Sequence, residues 1–251
     1  MISILIIGKG NVAHHLNKVF SIIDDVQVAN ISSRNLKQIP NADVTFIAVS
    51  DDAIASVSSK VKNNFVVHVS GSVAIESLKN TTRKGVFYML QTFSKNKEID
   101  FKKVPFCLEA ENNEDLNKLK FLAEKIGNDI YIINSRQREA LHVAAVFVNN
   151  FTNYLYIIGN DICKKNNIPF EILHPLILET ASKIQSLSPL KSQTGPAIRN
   201  DKKTIEKHLN LLDEQQQKIY SILTSSIQNG NGIPTSKLTR ILECWKSYFY
   251  S

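Results

Sequence analysis

The sequence predicts an α/β fold, in which a doubly wound, mostly parallel sheet is followed by an all-helical region. Two observations support this. Before Asn134, short apolar runs alternate with mixed segments, as strands alternate with crossover helices. After Asn134, apolar residues recur at spacings of three and four, the period of one helix face. We therefore predict an α/β domain at residues 1–133, an all-helical domain at 134–228 and an atypical tail at 229–251.

Seven short apolar runs in the first domain are predicted strands. They lie at 3–7, 26–31, 44–49, 65–69, 86–89, 105–109 and 129–132. The third run, Val-Thr-Phe-Ile-Ala-Val, is almost entirely apolar, which is typical of a strand covered by helices on both faces. The segments between the strands predict helices at 12–20, 52–61, 73–78 and 113–126.

The second domain is predicted to begin with one long helix. Its apolar stripe consists of Leu141, Ala144, Val148, Phe151, Leu155, Ile158 and Ile162. No charged residue lies between Glu139 and Asp161, and a helix uncharged on every face is usually buried. Its histidine and asparagines argue against a membrane span, so we expect a buried helix of a soluble protein. Further helices are predicted at 170–186, 201–212 and 214–227, with the tail as an amphipathic appendage or a poorly packed end.

Composition favours a cytoplasmic protein. The net charge is +7, but the basic residues are dispersed among acidic ones, so we expect neither nucleic acid nor membrane as a partner. Cys107, Cys163 and Cys244 form no Cys-x-x-Cys pair, which fits a reduced compartment, and we predict no metal site. The chain starts almost directly on a strand, so no secretion signal is expected.

The turn that follows the first predicted strand is the most informative motif. It reads Gly-Lys-Gly-Asn-Val-Ala. Gly8 allows the tight turn, Gly10 lets a pyrophosphate approach the backbone, and Ala13 lets the next helix pack close to the sheet. The phosphates would lie on the free N–H groups at the start of that helix. The flanking strand and helix favour a Rossmann-type dinucleotide site over a plain strand–turn–helix corner. Its predicted cofactor contacts are Gly8, Lys9, Gly10, Asn11 and Val12.

The end of the second predicted strand indicates which dinucleotide binds. NAD sites place an acidic residue there, on the ribose 2′-OH, whereas this chain has Ser32, Ser33 and Arg34. A guanidinium forms bidentate, charge-assisted hydrogen bonds to phosphate. Ser33 and Arg34 therefore predict NADP(H) rather than NAD(H). The alternative is that Arg34 is only a surface cation in a loop.

Two further strand ends are expected to contact the cofactor. Val49 and Ser50 end the third strand, whose carboxyl end should lie beside that of the first. Ser70 and Gly71 follow the fourth strand, at a position suited to the nicotinamide.

With these motifs in this order, the chain resembles the NADP oxidoreductases that join a Rossmann-like domain to a C-terminal domain of unknown function. That family is similar in layout to pyrroline-5-carboxylate reductases and 6-phosphogluconate dehydrogenases. The more specific segments are His-Val-Ser-Gly-Ser at 68–72, Leu-Gln-Thr-Phe-Ser at 90–94, the helix segment at 141–151, Glu-Thr-Ala-Ser-Lys at 179–183 and Gln-Thr-Gly-Pro-Ala-Ile-Arg at 193–199. The resemblance covers residues 2–228 and implies an NADP(H)-binding protein with a small-molecule substrate.

A polar stripe on the long helix supplies the candidate catalytic residues. His142, Asn149 and Asn153 share one face at helical spacing, which faces either a substrate cleft or a subunit interface. Compared with the catalytic helix of 6-phosphogluconate dehydrogenases, His142 and Asn149 match, but Ala145 replaces the acid–base lysine, and alanine cannot transfer a proton. Histidine ionises near neutral pH, so His142 is the candidate proton donor, with Asn149 and Asn153 orienting the substrate. The alternative for His142 is a core residue.

Two functions follow. The leading prediction is an oxidoreductase that transfers hydride between NADP(H) and a small carbonyl or imine substrate. Imine reduction has less need of the missing lysine, because a protonated imine is already electrophilic. The alternative, which Ala145 supports, is a non-catalytic NADP(H)-binding sensor or interaction protein. The apolar helical domain also predicts a homodimer formed through it.

Overall fold

The structure is a computed structural model, and it describes residues 1–230; the remainder of the predicted tail lies outside the described residues. By its contacts the chain divides into two compact units, Met1–Phe151 and a second that begins at Thr152. The first unit contains a mostly parallel sheet with helices, and the described part of the second is helical. The predicted fold class is therefore confirmed. The domain boundary at residue 134 stays a prediction.

The first unit is built on a seven-stranded sheet. Its strands are β1 (Ile2–Ile7), β2 (Val26–Ile31), β3 (Val44–Ile47), β4 (Phe65–His68), β5 (Arg83–Met89), β6 (Phe106–Ala110) and β7 (Ile130–Ile132). They lie in the order β2-β1-β3-β4-β5-β6-β7, and all neighbours are parallel except β5 and β6. Each of the seven predicted strands is present.

The direction of winding reverses between β1 and β3. Ile7 at the end of β1 pairs with Ile31 of β2 on one side and with Ile47 of β3 on the other. In open α/β sheets, ligands bind outside the carboxyl ends of the strands at such a reversal. The glycine turn begins directly after Ile7, so it lies at this point of the sheet.

Helices cover both faces of the sheet. They are α1 (Asn11–Phe20), α2 (Asp51–Ser58) and α3 (Asn113–Glu124). Alternate residues of a strand point to opposite faces. Accordingly, Ile4 and Ile6 pack in one core cluster with α1 and α3, whereas Leu5 and Ile7 pack in a second cluster with α2. Burial on both faces explains why residues 4–7 of β1 are apolar without interruption.

The predicted helix at 73–78 is wrong, because only a 3₁₀ turn forms there, at Ile75–Ser77. The backbone of this segment bonds to distant side chains instead. Arg138 Nη2 donates to the carbonyl oxygen of Val73 at 2.5 Å, and the N–H of Ile75 donates to Ser135 Oγ at 3.0 Å. An α-helix at 73–78 would pair the Val73 carbonyl with the N–H of residue 77, so the bond from Arg138 takes the place of a helical bond.

The long helix predicted after Asn134 is interrupted. It begins with α4 (Ser135–Ala145), passes through a π-helical turn at Val146–Phe151, and continues as α5 (Thr152–Lys165). A π turn bonds each residue to the fifth along, which breaks the period of the predicted stripe, and such turns are frequent at functional sites.

The predicted burial of this helix is wrong for the single chain. Phe147 and Val148 in the π turn are 63% and 74% exposed. An uncharged apolar sequence predicts burial, but it cannot distinguish burial within one chain from burial against a second molecule.

Within residues 152–230, the second unit continues from α5 with four more α-helices. They are α6 (His174–Ser186), α7 (Pro189–Ser192), α8 (Lys202–Leu209) and α9 (Glu214–Gly230). The helix predicted from residue 170 begins as a 3₁₀ turn, Phe170–Leu173, and α9 continues past the predicted end at residue 227. Within residues 1–230, none of the helices combines the length and the apolar character that crossing a bilayer would require.

Candidate cofactor and active site

A cavity of about 1010 Å³ opens at the reversal between β1 and β3. Its wall is formed by the glycine turn, by the segments after β2, β3 and β4, and by the loop after β5. The lining residues are Gly8, Lys9, Gly10, Asn11, Val12, Ser32, Ser33, Arg34, Ala48, Val49, Ser50, Asp51, Ala53, Val69, Ser70, Gln91 and Phe93. Small-molecule sites typically have volumes of roughly 300–1,000 Å³, so this cavity suits a large ligand. Every predicted cofactor residue lines it except Gly71.

The turn after β1 requires glycine at position 8. Gly8 has a φ of +147°, and a Cβ atom there would lie 2.0 Å from the carbonyl oxygen of Ala48. The turn therefore passes directly against the end of β3. Gly10 has a φ of −75°, and no heavy atom lies within 4 Å of its Cβ position. It borders open space that a ligand could occupy.

The N-terminus of α1 adjoins this cavity through Asn11 and Val12. Gly10, the N-cap residue, has no side chain to cap the helix, and the first turn contains no acidic residue. The first N–H groups of a helix have no partner within it and carry partial positive charge. Phosphate groups bind at such termini. The residues present therefore fit the pyrophosphate of a dinucleotide.

Asn30, which was not predicted from the sequence as a site residue, connects the glycine turn to β2. Its side-chain N–H₂ donates to the carbonyl oxygens of Ile6 at 3.0 Å and Gly8 at 2.9 Å. Its Oδ1 accepts a hydrogen bond from Lys9 Nζ, which holds this ammonium group at the end of β2. The signal in the sequence was an amide side chain near the carboxyl end of a mostly apolar strand.

Hydroxyl groups and positively charged side chains line the cavity near the carboxyl end of β2. Ser33 and Arg34 are present as predicted, and Lys9 adds a second positive charge. Arg34 is exposed, and within residues 1–230 no carboxylate forms an ion pair with it. Asp51, the acidic residue in the lining, accepts a hydrogen bond from Ser72 Oγ. This end of the cavity therefore fits a 2′-phosphate, although the same position is compatible with a surface cation.

The loop after β5 is attached to α1. Asn11 Nδ2 donates to the carbonyl oxygen of Phe93 at 2.7 Å, and His15 Nε2 lies 2.9 Å from the carbonyl oxygen of Ser94. Gln91 and Phe93 line the cavity. The helix whose N-terminus fits phosphate therefore also positions this wall.

The loop after β4 is fixed by buried polar groups. Ser70 Oγ accepts hydrogen bonds from the N–H groups of Ser72 and Val73, both at 3.2 Å. His68 is fully buried, and its Nδ1 accepts from the N–H of Ser70 at 3.2 Å. Burial, followed by the charge of Arg138, lowers the pKa of His68 to about 3. The imidazole of His68 is therefore neutral and acts as a hydrogen-bond acceptor that shapes the loop.

A buried ion pair lies behind this loop. Arg138 is 1% exposed, and its guanidinium donates to the carboxylate of Glu109 on β6 and to the carbonyl oxygen of Val73. Glu109 also accepts from the N–H of Ser135 at 2.9 Å and from its Oγ at 2.8 Å. The pair joins β6, the loop after β4 and the first turns of α4. It thereby sets the position of His142, one turn beyond Arg138.

His142 lies against the same loop and contacts Tyr88 of β5. Its Nδ1 is 3.3 Å from Tyr88 Oη, and the two rings pack edge to face. A Cβ atom on Gly71 would lie 2.7 Å from His142 Nδ1 and 2.8 Å from Tyr88 Cζ. The structure thus brings His142 to Gly71 and adds Tyr88. Tyr88 was not predicted from the sequence, because a tyrosine within an apolar strand is typical of a core residue.

The two asparagines lie further along the interrupted helix than His142. Asn149 lies in the π turn, exposed, and Asn153 lies in the second unit, near the start of α5, also exposed. Their roles stay predictions, as do the cofactor contacts. In the part of the chain that the structure describes, no group of three His, Cys, Asp or Glu residues is arranged to hold a metal ion.

Comparisons with known proteins relate the chain to NADP oxidoreductases. Residues 104–227 match the model of a domain of unknown function, DUF2520. The protein named "putative NADP oxidoreductase BF3122" from Bacteroides fragilis has a crystal structure that is similar with a TM-score of 0.82. Its sequence is 36% identical, and the alignment covers 91% of this chain and 98% of that one. No curated protein matches significantly.

Two more distant structures share the fold. The imine reductase from Myxococcus stipitatus, solved in complex with NADP⁺, has a TM-score of 0.61 at 14% identity, with 96% of this chain and 99% of that chain covered. The 1-pyrroline-5-carboxylate reductase from Streptococcus pyogenes has a TM-score of 0.58 at 13% identity, with 91% and 98% covered. The resemblance inferred from the sequence motifs is confirmed.

Proposed function

This chain belongs to the family of NADP oxidoreductases that carry the DUF2520 domain, and we propose that it transfers hydride between NADP(H) and a small carbonyl or imine substrate. The observation that carries the proposal is the cavity at the β1–β3 reversal. There the turn at Gly8, the N-terminus of α1 and the cation of Arg34 line one cavity. The first allows the tight turn, the second suits the pyrophosphate, and the third suits the 2′-phosphate.

The chain's own residues define the orientation of the cofactor in this proposal. Arg34 and Ser33, with Lys9 beside them, hold the 2′-phosphate, and the N–H groups of α1 hold the pyrophosphate. Ser70 and Gln91 then border the nicotinamide, since they line the cavity away from β2. When bound, NADPH supplies the hydride, and NADP⁺ accepts it in the reverse direction.

The proton in this proposal comes from His142. Ser70 borders the cavity, and Gly71, the next residue, lies against His142. The nicotinamide, which donates the hydride, and His142, which donates the proton, therefore both lie beside this loop. His142 transfers a proton to a carbonyl oxygen as the hydride reaches the substrate carbon, or to an imine nitrogen before the hydride arrives, which yields an alcohol or an amine. Because Ala145 cannot serve as an acid–base group, an imine, protonated before hydride transfer, is the favoured substrate class.

The competing proposal is a non-catalytic NADP(H)-binding sensor, and the alanine at position 145 is the observation that favours it. The two proposals differ in turnover. A sensor binds NADPH but does not oxidise it with any carbonyl or imine.

The experiment follows NADPH absorbance with a panel of cyclic imines and small ketones. We expect turnover with at least one imine, and we expect His142→Ala to lower it by about 100-fold, the usual contribution of a general acid. His14→Gln is the matched control, because His14 is exposed and does not line the cavity. Undiminished turnover in His142→Ala would remove His142 from the mechanism, and tight NADPH binding without turnover on any substrate would favour the sensor.

We also propose that the protein is a homodimer that uses its helical unit. Ile172, Leu176 and Leu178 of that unit are 66%, 62% and 68% exposed, and clustered exposed apolar residues mark interaction surfaces. Light scattering coupled to size-exclusion chromatography should give twice the chain mass. A monomer at micromolar concentration would contradict this. The cytoplasmic location and the absence of nucleic-acid and membrane partners stay predictions.

A further inference from the structure

Tyr88 and His142 come from distant parts of the first unit and meet beside Gly71. Tyr88 lies on β5, where it pairs with Cys107 of β6, and His142 lies on α4. Both side chains are half-buried, with Tyr88 Oη 3.3 Å from His142 Nδ1. Any side chain at position 71 would intrude between them, since its Cβ would lie within 3 Å of both rings. The missing side chain at Gly71 leaves room for this contact.

The contact with Tyr88 involves Nδ1 of the His142 imidazole and leaves Nε2 for proton exchange. In the imidazolium both nitrogens carry a proton, and in the neutral ring only one does. The hydrogen bond made by one nitrogen decides which nitrogen keeps its proton. In His142 the engaged nitrogen is Nδ1.

We propose that Tyr88 is a positioning residue for His142: its hydroxyl oxygen accepts a hydrogen bond from Nδ1–H in both charge states of the ring, so Nε2 delivers the proton. In this step the Nε2–H bond breaks, and the proton bonds to an imine nitrogen before hydride transfer or to a carbonyl oxygen during it. The imidazolium becomes a neutral imidazole with Nδ1–H still bound to Tyr88, and solvent returns a proton to Nε2. The identity of the proton acceptor rests on the proposed function, whereas the tautomer does not.

A phenol suits this task because it stays neutral. Burial, with a further contribution from Cys107, raises the pKa of Tyr88, so its hydroxyl remains protonated around neutral pH. A carboxylate in the same place would hold the imidazolium proton by its charge, whereas a neutral oxygen orients the ring without retaining the second proton.

Both partners are also held in place by their surroundings. Tyr88 is carried by β5 and its ring lies against Gly71, and α4 is anchored through the buried Arg138–Glu109 pair. Such support is what keeps a functional side chain in one orientation.

Nitrogen-15 NMR of the full chain, labelled in its histidine rings, measures this tautomer without any substrate. The chain has six histidines, and His142→Gln identifies the His142 signals by their loss. At a pH where the ring is neutral, we expect the proton on Nδ1. Tyr88→Phe keeps the aromatic ring but removes the acceptor, so the Nδ1-protonated fraction should fall by roughly half or more. Tyr131→Phe, on β7 and 54% exposed, is the matched control and should leave the His142 signals unchanged.

Two results would overturn the proposal: a wild-type His142 protonated on Nε2 when neutral, or His142 signals that Tyr88→Phe leaves unaltered. The wild-type spectrum decides the matter even if a variant does not fold. With a substrate in hand, Tyr88→Phe should lower kcat by about 10- to 100-fold with little change in the Kd of NADPH. If NADPH fails to bind, the proposed function fails, while the tautomer measurement still tests the role of Tyr88.

Discussion

Gly71 approaches His142 so closely that a Cβ atom on the glycine would stand 2.7 Å from the imidazole Nδ1. The requirement for glycine at this position therefore comes from the approach of side chains. Ser70, the preceding residue, lines the cofactor cavity. One short loop thus connects the predicted nicotinamide position with the candidate proton donor.

Gly71→Ala should disturb this contact and leave cofactor binding intact, because Gly71, unlike the other predicted cofactor contacts, does not line the cavity. The new methyl group would push the rings of His142 and Tyr88 aside, and a displacement of about 1 Å near the reacting atoms lowers rates by roughly 100-fold. Turnover should therefore fall at least about 10-fold, with the Kd of NADPH changed by less than about 3-fold. Gly159→Ala is the control, because its Cβ would lie 3.8 Å from the nearest atom. Wild-type turnover in Gly71→Ala would refute this reading of the loop.

The two glycines of the turn after β1 should respond differently to alanine. Gly8→Ala forces a side chain into a positive φ and against the Ala48 carbonyl, so we expect a loss of about 3 kcal/mol or more in stability together with loss of NADPH binding. Gly10→Ala meets no atom within 4 Å, so its melting temperature should stay near that of the wild type while NADPH binding weakens. Thermal denaturation and NADPH titration test both. Wild-type affinity in Gly10→Ala would mean that the pyrophosphate lies elsewhere.

Removing one partner of the buried Arg138–Glu109 pair should strongly destabilise the first unit. Arg138→Met leaves the carboxylate of Glu109, only 15% exposed, without its counter-ion, and it removes the hydrogen bond to the Val73 carbonyl oxygen. We therefore expect the free energy of unfolding to fall by about 3–5 kcal/mol. The double variant Arg138→Met/Glu109→Gln should lose less than the sum of the single changes. Urea denaturation measures these values, and Lys218→Met, at an exposed pair, should have little effect. A small loss in Arg138→Met would show that the pair does not anchor the loop.

His68 should make the fold sensitive to acid. Its pKa is about 3 in the folded protein against 6.5 as the ordinary value, so between these values the unfolded chain binds a proton that the folded chain does not. The contribution of neutral His68 to stability is fully present above about pH 6.5 and declines as the pH falls, by up to about 1.4 kcal/mol per pH unit. The test is to measure the free energy of unfolding of the wild type and of His68→Asn at several pH values between 7 and 4. We expect it to depend less steeply on pH in the variant. The same pH dependence in the two proteins would contradict the role given to His68.

The sheet was predictable because its strands are specified locally. A strand buried on both faces is apolar along its length, and the seven strands could be located within three residues at each end. The largest difference is at β5, which begins at Arg83 rather than at residue 86. Arg83 pairs with Phe65 of β4 and forms an ion pair with Asp115 of α3 at 3.0 Å. A strand start that depends on such distant partners has no local pattern.

The two ends of the candidate site also differ in how well the sequence predicts them. The cofactor end rests on consecutive residues, the glycine turn and Ser33-Arg34, so the sequence could predict it. The proton-donating end depends on Tyr88 and His142, which are 54 positions apart. Neither the helix period nor the strand alternation relates these two residues, and the π turn breaks the pattern through which Asn149 was associated with His142.

The central claim, that the cavity holds NADP(H) through Arg34, is tested most directly by calorimetric titration with NADPH and NADH. We expect the wild type to bind NADPH at least about 10-fold more tightly, because the guanidinium forms charge-assisted bonds to the 2′-phosphate. Arg34→Ala should abolish this preference, and Lys37→Ala, at an exposed residue outside the cavity lining, should retain it. Equal affinity of the wild type for the two cofactors, or an undiminished preference in Arg34→Ala, would contradict the claim.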